Sequence, residues 1–121
     1  MSAVRDVREP GATPDGGFQA LILRDEGTVT LVLRGELDLA ATVAAEAAVD
    51  QVLREPADHY LLELADLTFL DARGVRPLVR LAKLLDLRAV KLQGRHASDR
   101  VALVFSLTPI MLEGTPSSLS S

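Results

Sequence analysis

The sequence predicts an α/β domain with a mainly parallel central sheet, an N-terminal hairpin and helices packed on one face. Three observations carry this reading. Short apolar runs alternate with longer segments of helical period, which implies crossover connections and parallel pairing. Two of the apolar runs are separated only by Asp25-Glu26-Gly27, a turn that makes a hairpin. The 121 residues, 48% of them hydrophobic, suffice for one core and leave no room for two domains. With three Phe, one Tyr and no Trp, that core is aliphatic.

The elements follow in order. Residues 1–17 hold Pro10, Gly11, Pro14, Gly16 and Gly17 and no apolar pattern, so they are expected to form a flexible N-terminal tail before a domain spanning 18–113. Phe18 to Arg24 reads as the first strand of the hairpin and Thr28 to Leu37 as the second. Leu39 to Arg54 reads as a helix with Asp38 as N-cap and Pro56 as terminator. Its core face is expected at Leu39, Val43, Val49, Val52 and Leu53, which share one arc at about 100° per residue. His59 to Leu64 reads as a buried strand, and residues 65–70 lead out of it. The second helix runs to about Leu87 with Val75, Leu78, Val79, Ala82 and Leu85 on its core face. Leu81, Leu84 and Leu87 lie partly off that face and leave room for a homodimer. Ala89 to Gln93 is a further strand closed by Gly94. Ala97 to Leu107 is a third helix with Ser98 near its cap and Pro109 beyond its end. Ile110 to Leu112 is a last short strand, and the Ser-rich residues 114–121 are expected to form a flexible C-terminal tail.

Composition narrows the function classes. The chain has no Cys, so disulfides, thiolate metal sites and a Cys nucleophile are excluded, which fits a reducing cytoplasm. The first 17 residues carry charges and prolines and lack the apolar run of a signal peptide. No stretch reaches the roughly 18 apolar residues of a membrane span, so direct membrane insertion is not expected. A formal net charge of −4 argues against a nucleic-acid binder. His59 and His96, the only histidines, lie far apart without metal-ligand spacing, and neither a metal nor a cofactor is expected. Asp38 and Asp71 admit an acid–base pair, but both also read as helix caps. With no nucleophile–base pair and no glycine-rich phosphate loop, the chain is expected not to be an enzyme.

The most informative stretch is Leu67-Thr68-Phe69-Leu70-Asp71-Ala72-Arg73-Gly74-Val75. Asp71 can accept from the free N–H groups at a helix start. Gly74 lets another backbone approach closely. Such a helix start also attracts anions, while the bland reading is an ordinary capped helix.

At these residues the chain resembles the STAS domain family, the class that includes bacterial anti-sigma factor antagonists. Leu33-Arg34-Gly35-Glu36-Leu37-Asp38 matches the family's GELD signature, Asp66-Leu67-Thr68-Phe69-Leu70-Asp71 its DLTFIDSSG loop, and Leu107-Thr108 the LTG at the end of the third helix. The resemblance runs from Phe18 to Leu112. It implies a STAS-like fold and a role in partner switching for transcription regulation: an unmodified antagonist binds a kinase-like anti-sigma factor, and phosphorylation of a loop Ser releases it. Here the phospho-acceptor position is Ala72, which has no hydroxyl, and the second Ser of the motif is Arg73. Pro77 cannot donate within a helix, so an irregular turn is expected over 72–76.

Arg73, Arg76, Arg80 and Lys83 fall within about 80° of helical arc. They read either as a solvated face or as a basic stripe that meets an acidic partner. The resemblance thus implies a regulatory protein-binding module. Its partner-binding residues would be Asp38, Asp71, Ala72, Arg73, Gly74, Arg76 and Arg80. It would be non-phosphorylatable at the usual site and constitutively binding-competent. The alternative is a small cytoplasmic STAS subunit of an ABC-type lipid transport assembly. Thr42, Thr68, Ser98 and Ser106 remain as hydroxyl-bearing candidates for modification, and nothing in the sequence singles one out.

Overall fold

The chain's computed structural model describes residues 6–113. Its elements are β1 (Asp6–Ala12), β2 (Phe18–Asp25), β3 (Thr28–Leu37), a single 3-10 turn (Leu39–Ala41), α1 (Thr42–Leu53), β4 (His59–Leu70), α2 (Arg76–Asp86), β5 (Leu92–Arg95), α3 (Asp99–Phe105) and β6 (Met111–Leu112). The six strands form one sheet in sequence order. β1, β2 and β3 pair antiparallel, and β3, β4, β5 and β6 pair parallel. This is the expected α/β architecture: a hairpin feeding a parallel sheet by helical crossovers.

Register explains why the helices share one face. Ala20 lies opposite Leu33, and Ile22 opposite Leu31. Leu31 lies opposite Leu62, and Leu62 opposite Gly94. Side chains of this row therefore point to one side of the sheet. They are buried with Ala45, Ala48, Val49 and Val52 of α1, Leu78, Leu81 and Leu85 of α2, and Val101 and Phe105 of α3. The intervening row, Leu21, Val32, Glu63 and Arg95, faces away from the helices.

The first difference from the sequence reading lies at the N-terminus. Residues 1–17 are not all tail, because Asp6–Ala12 form an edge strand against β2. The physical reason is a charged clasp. Glu55, buried at the end of α1, accepts from Arg8 of β1 at 2.7 Å, Arg24 of β2 at 3.2 Å and Gln51 at 3.0 Å. The expectations for residues 1–5 and for the tail over 114–121 lie outside the described residues.

The second difference concerns α1. Leu39 and Val43, expected in the core, are 56% and 80% exposed. The buried face is instead the alanine face, Ala41, Ala45 and Ala48, with Val49 and Val52. Small side chains let the helix axis approach the sheet, which favours that face over the bulkier one. On α2, Leu81 is fully buried, while Val79 and Ala82 are only partly so. The helix proper starts at Arg76, not near Asp71, and its buried residues are Pro77, Leu78, Leu81 and Leu85. The sheet elements are also displaced: β4 continues to Leu70, and β5 begins at Leu92 rather than Ala89, whose φ of 61° interrupts an extended chain.

Candidate functional site: the β4–α2 turn and the face of α1 beside it

The turn from Asp71 to Val75 is fixed by short-range hydrogen bonds. The Asp71 carboxylate accepts from the backbone N–H of Arg73 at 3.0 Å and of Gly74 at 2.8 Å. The Val75 N–H donates to the Asp71 carbonyl at 3.1 Å, and the Arg76 N–H to the Arg73 carbonyl at 3.3 Å. Asp71 thus satisfies donors that a helix start leaves open. Pro77 sits within the first two positions of α2, where its missing N–H leaves no carbonyl without a partner. The irregular turn expected before the helix is present, and Pro77 sets where the helix can begin.

Gly74 ties this turn to the end of β3. A Cβ at that position would lie 2.0 Å from the carbonyl oxygen of Leu37. The two motifs singled out in the sequence, one ending at Leu37-Asp38 and one at Gly74, are therefore packed backbone on backbone. Asp38 caps the 3-10 turn, its carboxylate accepting from the Ala41 N–H at 3.2 Å. It lines a neighbouring depression with Thr13, Asp15, Glu36 and Ala40, apart from the arginines. Asp38 and Asp71 each serve a separate turn.

Ala72, Arg73 and Arg76 are exposed at the tip and flank of the turn. The charged stripe of α2 divides there. Arg80 donates to Glu46 of α1 at 2.9 Å and to Asp50 at 2.8 Å, and these bonds hold its guanidinium above the ordinary arginine range. It is an internal strut between α1 and α2. Arg73 and Arg76 make no ion pair among the described residues. Both line a depression between α1 and α2 whose other walls are Leu39, Thr42, Glu46 and Pro77.

Thr42, one of the four hydroxyl candidates in the sequence, belongs to this surface, as do Leu39 and Glu46, which the sequence does not point to. Leu39 read as core because its spacing to Val43 and Val49 is helical. The run of alanines on the opposite face was the signal that the apolar arc could point outward. Phe69, 43% exposed at the end of β4, lies opposite Glu36 in the sheet, on the face away from the helices.

The histidines lie elsewhere. His59 is exposed at the start of β4. His96 contacts Glu63 through Nδ1 at 2.8 Å, and Arg95 donates to the same carboxylate at 2.9 Å. Burial pushes the Glu63 carboxyl up, but these hydrogen bonds outweigh it and hold it below the ordinary carboxylate range. Among the described residues no group of three or more His, Cys, Asp and Glu side chains could hold a metal ion. No helix among them is long and apolar enough to cross a membrane.

Comparison with known proteins adds the family. The STAS domain model matches residues 19–110. No curated protein sequence matches the chain. Among solved structures, the chain is similar to an anti-sigma factor antagonist from Mycobacterium paratuberculosis, at 17% identity and a TM-score of 0.68, covering 88% of this chain and 93% of that one. It is similar also to the anti-sigma factor antagonist SpoIIAA in its unphosphorylated form, at 23% identity and a TM-score of 0.61, covering 85% and 94%. A more distant likeness, at 13% identity and a TM-score of 0.55, is to SLC26A9, where the match covers 85% of this chain but 20% of that one. At these identities the likenesses establish the fold.

Proposed function

The chain belongs to the STAS domain family, and on that premise we propose that it is a cytoplasmic regulatory binding module of the anti-sigma factor antagonist type. It works by docking a kinase-like anti-sigma factor and has no catalytic activity of its own. The observation that carries this reading is the Asp71–Val75 turn. It presents an exposed alanine where the family resemblance places a phospho-acceptor, on a backbone already fixed by Asp71 and by the Gly74–Leu37 contact. A rigid loop loses little conformational freedom on docking, which favours binding. Ala72 offers no hydroxyl, so the turn stays in the state that resembles the unmodified antagonist. Exposed Leu39 supplies apolar contact beside it, and Arg73 and Arg76 supply positive charge for an acidic partner.

Substitution of Ala72 by Glu tests this. The charge sits at an exposed turn near a helix start and costs the isolated domain little. In a close-packed interface it must be desolvated, at about 1–3 kcal/mol. The variant is expected to fold as wild type and to bind the partner recovered by pull-down roughly ten-fold or more weakly. Wild-type affinity would remove this turn from the interface. Recovery of a transporter ATPase instead of a kinase-like protein would favour the reading as a subunit of an ABC-type lipid transport assembly.

A further inference from the structure

The hydroxyl missing at position 72 has a counterpart across the α1–α2 depression. Thr42 is the first residue of α1 and is half-buried. Its hydroxyl donates to the Leu39 carbonyl at 2.8 Å, a bond at the protein surface. Thr42 lines the same depression as Arg73 and Arg76. The other hydroxyl candidates are engaged elsewhere. Thr68 donates to the Gly35 carbonyl at 3.0 Å, Ser98 caps α3, and the Ser106 hydroxyl donates to the Leu103 carbonyl.

The charge around the depression is unbalanced in the sense an anion requires. Glu46 is the one carboxylate in its wall, and Arg80 already bonds it. Asp50 bonds the same guanidinium. Arg73 and Arg76 make no ion pair among the described residues, and the nearby Asp71 carboxylate is taken by the backbone N–H groups of Arg73 and Gly74. A phosphate brings close to two negative charges and three acceptor oxygens, and guanidinium is the cation best shaped to receive them.

We infer that Thr42 is a phospho-acceptor whose phosphate is held by Arg73 and Arg76 across the α1–α2 depression, and that this modification weakens docking at the adjoining turn. A protein kinase supplies the group from a nucleoside triphosphate. The bond from Thr42 Oγ1 to the γ-phosphorus forms, and the bond from that phosphorus to the β-phosphate oxygen breaks. The nucleoside diphosphate leaves, and the hydroxyl proton passes to the kinase's base. The hydroxyl gives up its bond to Leu39, and the phosphate takes the two arginines that would otherwise face an acidic partner. The second clause of the inference rests on the docking role proposed for the turn; the first does not.

Three measurements separate the two. Phosphopeptide mass spectrometry of the chain purified from its own cells is expected to find phosphothreonine at 42 in some growth phase, and its absence in every phase overturns the inference. With phosphothreonine encoded at position 42, a phosphorus NMR titration is expected to place the second ionisation of the phosphate lower than in the same protein carrying Arg73→Ala and Arg76→Ala. Coincident titrations overturn the cradle. Affinity for the recovered partner is then compared for the unmodified chain, the phosphothreonine form and Ala72→Glu. At least ten-fold weakening in both altered forms supports the inference. Weakening by Ala72→Glu alone leaves the turn as the docking surface and refutes the switch. Weakening by neither refutes both.

Discussion

Replacing Gly74 by Ala isolates the contact that fixes the functional turn. The added carbon would lie 2.0 Å from the Leu37 carbonyl oxygen, 2.6 Å from its carbon and 3.1 Å from the Leu37 Cγ. Ordinary contact begins at 3.4 Å, so the turn and the end of β3 must part by about 1.4 Å. The obstacle is backbone in a sheet, which cannot swing aside as a side-chain tip can. Overpacking of this kind costs roughly 1–3 kcal/mol. Displacing the Gly74 N–H from Asp71 adds about 1 kcal/mol. Stiffening the unfolded chain returns about 0.4–1 kcal/mol. The net loss expected is about 2 kcal/mol, which lowers Tm by roughly 10 °C for a domain of this size. Gly94→Ala is the internal control. Its Cβ would meet Leu112 Cδ2 at 2.8 Å and Leu64 Cδ1 at 3.1 Å, both side-chain ends rather than backbone, so the loss should be smaller than at Gly74, about 1 kcal/mol. Urea titration followed by circular dichroism gives both values, with unchanged m reporting an intact two-state transition. A Gly74→Ala loss under about 0.5 kcal/mol, or one smaller than that of Gly94→Ala, would refute the claim that the backbone approach demands glycine here.

Three further outcomes concern the charged groups. Glu63 has a carboxyl held below its ordinary value of 4.5, first pushed up by burial and then lowered further by His96 and Arg95. A depressed carboxyl contributes stability that is fully present above that value and is lost as pH falls through the lower folded-state value. Urea midpoints measured from about pH 6 to pH 3 should therefore fall more steeply for wild type than for Glu63→Gln; parallel curves would show that the cluster contributes nothing. On α2, Arg76→Glu should weaken partner binding with a loss that shrinks at high salt, because exposed charges are screened. Arg80→Met should leave binding within about two-fold while costing at most about 1 kcal/mol of stability, since its pairs with Glu46 and Asp50 are partly exposed. The opposite ranking in calorimetry would put Arg80, not Arg76, on the docking face.

The parts of the fold written in local chemistry were legible. The Asp25-Glu26-Gly27 turn gave the hairpin, the alternation after it gave the parallel sheet, and Asp71 with Pro77 gave the irregular turn before α2. The parts that depend on long-range contact were not. Pro10 and Gly11 read as loop, yet Gly11 is needed because a Cβ there would lie 2.2 Å from the Ala44 carbonyl oxygen of α1. Proline is tolerated because β1 is an edge strand. Nothing local to residues 6–12 announces the Glu55 clasp that holds them, since its parts come from β1, β2 and α1. On α1, a helical period marks two faces and does not say which is inside. The sequence reading took the larger side chains inward, and the sheet took the alanines. That choice exposed Leu39 and placed Thr42 and Glu46 on the candidate site. For the same reason the stripe Arg73, Arg76, Arg80 could not be divided from the sequence: the two carboxylates that claim Arg80 are 34 and 30 residues away.

That division bears on how the surface works. If all the α2 arginines were free, their mutual repulsion would favour a mobile helix face, and docking an acidic partner would have to order it. Arg80 is instead spent within the domain, and its bonds to Glu46 and Asp50 fix α1 against α2 one turn beyond the depression. Asp71 and the Gly74–Leu37 contact fix the other side. Both sides of the depression are thus braced by contacts within the domain, while Arg73 and Arg76 make no ion pair among the described residues. Binding strength at such a site is governed by the charge placed in it rather than by rearrangement of the fold. On the proposed reading, a single added anion, at Thr42 from within or at Ala72 by substitution, would change affinity without changing structure. This is the behaviour a small binding module needs if it is to be switched while remaining folded.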